Sequence, residues 1–413
     1  MKAIIEKEIQ DNFNTIQSWL TDEKSNGAPL FYTSVDLRES DYKCASIDTN
    51  IFPAGFNNLP SSNNELIKAS IETFINDYYP NTTHILLFSE DHTRNPFYLE
   101  NVYQLSERIK SCGINCSIGT FFKEHPSICT TTGFLNLTTS SENQVTMFCL
   151  DYILKHRSEF QFDICLLNND LSDGNYESLI KLSIPIIPHP NLGWHKRRKS
   201  NHINTLNDLT KKMIMDCNLN IDPWFLSTYM VQISTVDINN ENDRQRLADA
   251  ANELLLKISR KYIEYQISDT PYLVLKSDNG TYGMGVISID SPDDILNLNR
   301  KNRNKLHKGK SSMPIQNLII QEGIPSANII DNQTSEEVLY HLNGNTIGGF
   351  YRLHQKKSNK EILNSKGMTF KALDSIIDDQ FNKTQDIPPS ISTTSYVLGQ
   401  LANLSAQYEF NTL

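Results

Sequence analysis

YLVLKSDNGTYGMGVISI, residues 272–289, is the stretch on which the reading of this chain turns. An apolar run ends on Lys276, a stretch carrying Gly280, Gly283 and Gly285 follows, and a second apolar run closes it, so the pattern is strand, loop, strand. A lysine closing a strand sets its ammonium beside whatever the loop holds. Glycines let backbone N–H groups approach phosphate oxygens because no Cβ stands in the way. A Walker A loop would need Gly-Lys-Ser/Thr, and a dinucleotide fingerprint would need a helix after the glycines; neither is present. A plain β-hairpin with a glycine turn fits the same residues equally well, so neighbouring segments must decide.

Downstream, LIIQEGI (318–324) is an apolar strand ending in Gln321, Glu322, Gly323 and Ile324. Such an end suits a hinge that meets a purine through backbone groups, with Glu322 accepting from the base amine or a ribose hydroxyl. VLYHLNGNTIGGFYRLH (338–354) predicts a hairpin turning at Asn343-Gly344. Between residues 240 and 262, Leu247, Leu254, Leu255 and Ile258 fall on one helical face. GWHKRRKSNHI is strongly basic and leads into a helix at 204–217. A second basic run, NRKNRNKLHKGK (299–310), reads as a solvated loop, with a lid over phosphates as the alternative.

Upstream, residues 1–25 carry Ile4, Ile5, Ile9, Phe13, Ile16 and Leu20 at helical spacing. Five short apolar runs follow: 30–37, 84–90, 145–150, 162–170 and 184–190. Strands alternating with helices predict an α/β fold with a mostly parallel, doubly wound sheet. Polar residues gather where these runs end: Asp36 and Arg38, Glu90 and His92, Asn168 to Asp170, and His189. Ligands of open α/β sheets bind off those ends.

The 413 residues predict two or three domains. A net charge of -10 argues against nucleic acid as a partner. No run of about 18 apolar residues predicts a membrane span, and MKAIIEKEIQDNF lacks the apolar stretch of a signal peptide; the expected location is the cytoplasm. Seven scattered cysteines are expected to be reduced thiols, and Cys112 and Cys116 have no second pair to make a zinc site. The oligomeric state stays open, a homo-oligomer included.

The order Lys199, Lys276, Glu322, Arg352, Asn364 resembles the ATP-grasp superfamily. RKSNHINTL…DPWFLST and GGFYRLH…EILNSKG look like the first-lysine and arginine–metal segments of glutathione synthetase. SVDLRESDYKCASIDTNIFPAGFNNL (34–59), SEDHTRNPFYLENV (89–102) and PHPNLGWHKRRKSNHI (188–203) resemble the proteobacterial glutamate–cysteine ligases built on ATP-grasp. That resemblance implies ATP, Mg²⁺, glutamate and cysteine. It implies a doubly wound, amino-acid-recognising region 1–190, followed by an ATP-grasp domain whose two lobes are 191–290 and 291–413. It puts Lys199 and Lys276 on ATP phosphates under the Gly280–Gly283–Gly285 loop, Gln321, Glu322 and Ile324 at the hinge, and Arg352 on the transferring phosphoryl group. Oxygen ligands for Mg²⁺ would be Glu337, Glu361 and Asn364. If the family's metal asparagine lies two positions earlier, Ile362 stands there, and isoleucine ligates nothing. Glutamate needs cations for its α-carboxylate and an anion for its amine. Arg38, Arg94 and Arg197 are the candidates for the first, and Asp36, Asp48 and Glu90 for the second, with Asn50 and His92 as further polar contacts. Two other readings remain open at this point: another ATP-grasp carboxylate–amine ligase, or a nucleotide-binding relative without catalysis.

Overall fold

The computed structural model describes residues 1–123, 125–174, 176–279, 285–307, 316–373 and 391–410. Gly280 and Gly283 lie outside the described residues. In chain order, β1 (Tyr32–Glu39) and β2 (Cys44–Asn50) form an antiparallel pair. The next six strands are β3 (His84–Ser89), β4 (Asn115–Thr120), β5 (Phe134–Thr138), β6 (Gln144–Cys149), β7 (Ile164–Asn168) and β8 (Ile186–Ile187). They make one sheet in the order β5-β6-β4-β3-β7-β8, parallel except for β5.

The strands of this sheet read as unbroken apolar runs because both faces are covered. Ile85 and Leu87 face the helices Asn64–Tyr78 and Pro96–Ser111, while Leu86 and Phe88 pack with Leu150, Ile153 and Leu179. β9 (Met230–Ile233), β10 (Leu273–Ser277), β11 (Val286–Ile289) and β12 (Leu318–Glu322) form a second, antiparallel sheet ordered β11-β10-β12-β9. The helix Glu241–Glu264 packs on it through Leu247, Leu254 and Ile258. β13 (Ile329–Ile330), β14 (Gln333–Leu342), β15 (Asn345–His354) and β16 (Thr369–Ala372) complete a third sheet, β16-β15-β14-β1-β2, with β13 pairing β14.

The run 30–37 therefore does not join the parallel sheet, as its place among the apolar runs suggested. β1 pairs antiparallel with β14, Tyr32 opposite Leu342. The cause is legible in its alternation: Ser34, Asp36 and Arg38 share one face, Val35 and Leu37 the other, which suits a sheet whose two faces meet different surroundings. Residues 1–25 are two helices, Lys2–Asp11 and Phe13–Lys24, broken at Asn12 (φ −108°, ψ 12°). Within the basic run expected as a solvated loop, Arg300–His307 forms a helix anchored by buried Leu306, and residues 308–310 lie outside the described residues. The hairpin turn falls where expected: Asn343 (φ 48°) and Gly344 (φ 74°) both adopt the left-handed conformation of a two-residue turn.

The cysteine expectation needs a second correction. Cys129 and Cys149 are joined in a disulfide, Cα atoms 5.4 Å apart, and the remaining five cysteines are free. The Cys149 amide donates to the Gly133 carbonyl, and this folding-back brings together two cysteines 20 residues apart. Among the described residues, no helix is long and apolar enough to cross a membrane.

Candidate active site

The third sheet, the second sheet and the loops off the parallel sheet enclose a cavity of about 1420 Å³. Strand alternation decides which side chains enter it. β1 contributes Ser34, Asp36 and Arg38; β2 contributes Asp48 and Asn50; β14 contributes Glu336, Val338 and Tyr340. β15 adds Phe350 and Arg352, and β10 adds Val274 and Lys276.

Lys199, first residue of the helix Lys199–Asp216, and Lys276, near the end of β10, line this one cavity. Lys199 pairs with Asp48, and its ammonium lies 4.9 Å from the Trp194 ring centroid. Lys276 donates to the Ile47 carbonyl at 2.8 Å. Burial, and then the neighbouring Lys199 charge, lower Lys276 from its usual range to about 8. Burial alone would raise Asp48, but Lys199 and Lys276 outweigh it and hold its carboxyl well below the carboxylate range.

Beside them sits a buried four-charge cluster. Arg352 Nη1 donates to Asp36 Oδ2 at 2.8 Å and also to Glu336; Arg38 Nε donates to Glu336 Oε2 at 2.9 Å. Arg38 Nη2 reaches the Glu361 carbonyl at 2.6 Å. Burial raises the Asp36 carboxyl despite Arg352. Burial also opposes ionisation of Glu336, but two arginines outweigh it and the shift is downward. Asp36 Oδ1 and Arg352 Nε are buried without a protein partner.

The hinge residues 321–324 line the cavity too. Gln321 Nε2 donates to Thr228 Oγ1 at 2.8 Å. Glu322 does not offer its carboxylate to a base or ribose: Lys43 Nζ (2.8 Å), Trp224 Nε1 (3.0 Å) and the Tyr229 amide (3.0 Å) hold it. Lys43 is itself buried 4.1 Å from the Trp224 ring centroid, and burial lowers its ammonium to about 8 against the pull of Glu322. Gly323 must be glycine, because a Cβ would meet the Tyr272 ring at 2.4 Å. The Tyr272 hydroxyl donates to the Ile324 carbonyl at 2.9 Å.

Other candidates are placed elsewhere. Glu337 points to the opposite face of β14, toward Ser395, where burial raises it to about 8; Glu336 takes the cavity side. The Glu361 side chain bonds Lys357 (2.8 Å) and the Ser358 amide (2.9 Å), and only its carbonyl meets the arginine cluster. Arg197, expected at the substrate, does not line the cavity: it is buried with Glu409 at 2.7 and 3.0 Å and the Thr49 carbonyl at 2.6 Å. Glu90 accepts from the Asp170 amide at 3.0 Å and is buried beside the cavity; Arg94 is exposed, and neither lines it. Gly285 (φ +69°) precedes Val286, which does line it. Asn50, His92, Asn364 and Ile362 all reach the wall. Glu336 and Lys43 are the residues that sequence reasoning did not assign. For Glu336 the usable signal was parity with Val338 and Tyr340.

Two lysines and an arginine–carboxylate cluster around one cavity, between sheets, suit a carboxylate–amine ligase. Residues 6–410 match the glutamate–cysteine ligase family, and the chain belongs to that family. Its activity is the ATP-dependent ligation of glutamate to cysteine in glutathione synthesis. The fold is similar to that of a proposed gamma-glutamylcysteine synthetase from Methylobacillus flagellatus KT: 31% identity, 99% of this chain and 96% of that chain covered, TM-score 0.85. D-alanyl-alanine synthetase A from Vibrio cholerae O1 shares 14% identity over 66% of this chain and 67% of its own, TM-score 0.33. D-cycloserine synthetase DcsG shares 9% over 79% and 82%, TM-score 0.38. No curated protein matches the chain.

Proposed function

We propose that Lys199 and Lys276 bind the ATP phosphates, that Arg352 steadies the phosphoryl group in transfer, and that the γ-carboxylate of glutamate is activated beside them. A carboxylate is a poor acyl donor because its leaving group would be oxide. Phosphorylation gives an acyl phosphate, the cysteine amine attacks its carbonyl carbon, and inorganic phosphate departs. Charge builds on the transferred group, so fixed cations in a closed cleft do most of the work. The reading is supported chiefly by one observation: both lysines and Arg352 line the same cavity.

The residues present fit Mg²⁺. Asp36, Glu336 and Asn364 offer oxygen donors in the cavity, and Asp36 Oδ1 is buried without a partner, as a hard cation would require. These three would hold the ion, in place of Glu337 and Glu361; when bound it screens the phosphate charge. The purine would lie along residues 321–324 and be read by backbone groups, since the side chains of Gln321 and Glu322 are engaged. Arg38, Asp48, Asn50 and His92 are left for the amino acids, Asp36 passing from the ammonium role expected of it to the metal. We propose lobes 191–290 and 291–413 as the ATP clasp, with 1–190 doubly wound around the amino-acid site and lending β1 and β2 to the clasp.

Phosphate release from ATP, measured across amino-acid pairs, tests the reading. Glutamate plus cysteine should exceed ATP alone and every other pair. Equal release with and without the pair would overturn it.

A further inference from the structure

One buried carboxylate outside the cavity touches both lysine-bearing segments. Asp278, two residues after Lys276, is fully buried. Its carbonyl accepts from the Lys199 amide at 2.8 Å. Its Oδ1 accepts from the Ser200 amide at 2.7 Å; its Oδ2 accepts from Ser200 Oγ at 2.9 Å and from Gln232 Nε2 at 2.8 Å. Its own amide donates to the Asn317 carbonyl at 3.0 Å. Three segments are therefore tied through one residue: the helix that starts at Lys199, β9 through Gln232, and the entry to β12 through Asn317.

The need for such a fastening follows from the charges. Lys199 lies close enough to Lys276 for its charge to disfavour the Lys276 ammonium. Asp48 answers the charge. Nothing about Asp48 fixes the backbones, because its contact is at the tip of a long side chain. Asp278 acts at the other end, on the backbone from which Lys199 springs. Its carboxylate satisfies the Ser200 N–H and its carbonyl the Lys199 N–H, two of the amides at the start of the Lys199–Asp216 helix that lack a partner within the helix.

We infer that Asp278 is the positioning residue that holds Lys199 and Lys276 against one ATP phosphate chain. It touches no substrate and acts only through the two lysines, so the inference rests on the proposed roles of those lysines.

Geometry, not charge, is the working part, and the choice of variant separates them. In Asp278→Asn, one oxygen still accepts from the Ser200 amide. The new Nδ2 can donate to Ser200 Oγ and to Gln232 with its amide turned, so the fastening survives. Asp278→Ala loses every side-chain contact to Ser200 and Gln232 and keeps only the backbone bonds to Lys199 and Asn317. The experiment measures steady-state KM for ATP, KM for glutamate and kcat in the full-length enzyme, with thermal unfolding as a folding check. Asp278→Ala should raise KM for ATP about ten- to hundredfold, the cost of a displaced contact group, while KM for glutamate changes less than twofold. Asp278→Asn should restore most of the loss. If Asp278→Ala does not fold, Ser200→Ala with Gln232→Ala strips the carboxylate of two donors and must raise KM for ATP with the same selectivity. Folded variants with unchanged KM for ATP, or with both KM values raised alike, overturn the inference. Lys199→Ala and Lys276→Ala are run in parallel. If these leave ATP affinity intact, the lysine roles fail. If they abolish it while Asp278→Ala does not, the lysine roles stand and the positioning role alone fails.

Discussion

ATP binding should draw a proton onto Lys276, and this can be measured. In the free enzyme burial and Lys199 lower Lys276 from 10.5 to about 8. A triphosphate set against it favours the charged form, so binding returns the group toward its ordinary range. The sign follows: the ATP-competent, protonated form is nearly complete at pH 7 and is lost as pH rises through about 8. With a free-enzyme value near 8, roughly nine-tenths of Lys276 is protonated at pH 7 and roughly one-tenth at pH 9. The apparent affinity for ATP should therefore fall about tenfold between those pH values, about 1.4 kcal/mol. Calorimetric titrations at pH 7, 8 and 9, each in two buffers of different ionisation enthalpy, give both the affinity and the protons taken up. Uptake should approach one proton near pH 9. Lys43 also titrates near 8, but it faces buried Glu322 with or without nucleotide and should not contribute. Lys276→Arg is the control, because a guanidinium stays charged throughout and should flatten the dependence. A flat affinity in the unaltered enzyme, or the same slope in Lys276→Arg, refutes the reasoning.

Adjacent acids on β14 should behave oppositely. Glu336→Gln should lower kcat about 10²–10³-fold, as removal of one electrostatic contact does, whereas Glu337→Gln should leave kcat within twofold; a reversed order in the same assay would return the metal role to Glu337. Glu337 is raised from 4.5 to about 8 in the fold, so the stability its neutral form contributes is complete below about pH 4.5 and disappears as pH rises through about 8. Thermal unfolding at pH 5 and pH 8 should show the unaltered protein losing a few kcal/mol relative to Glu337→Gln across that window, and parallel curves would refute it. Arg197→Ala strands buried Glu409 and should cost about 3–5 kcal/mol in denaturant unfolding; a cost below about 1 kcal/mol with a raised KM for glutamate would restore it to the substrate site. Denatured, unreduced protein should titrate five thiols, rising to seven after reduction; seven at the outset would remove the disulfide.

What the sequence made legible was whatever depends on short-range pattern. The β10–β11 hairpin, the strand ending in Gln321-Glu322, and the Asn343-Gly344 turn could all be read, because turn residues and apolar runs carry their own geometry. Pairing between distant strands carries no such local signal. β1 lies about 300 residues from β14, so its company could not be read from neighbouring runs. The C-terminal helix Thr393–Phe410 escaped for a related reason: it is buried nearly all round, so it has no polar stripe to set the period.

That helix also explains the error at Glu337. Two consecutive glutamates on a strand must face opposite ways, and only one can enter the cavity. A sheet with one wet face would settle the choice, since the polar residue would mark it. Here both faces of β14 mix polar and apolar groups: Val338 and Tyr340 line the cavity beside Glu336, while Leu339 and His341 meet the helix behind. His341 is buried and pushed down to about 3, so the back of the sheet holds neutral polar groups as well as apolar ones. Polarity then ceases to report direction. What remains is the count from a fixed point: starting at Tyr340, whose hydroxyl meets the Ala54 carbonyl on the cavity side, steps of two reach Val338 and Glu336, and never Glu337.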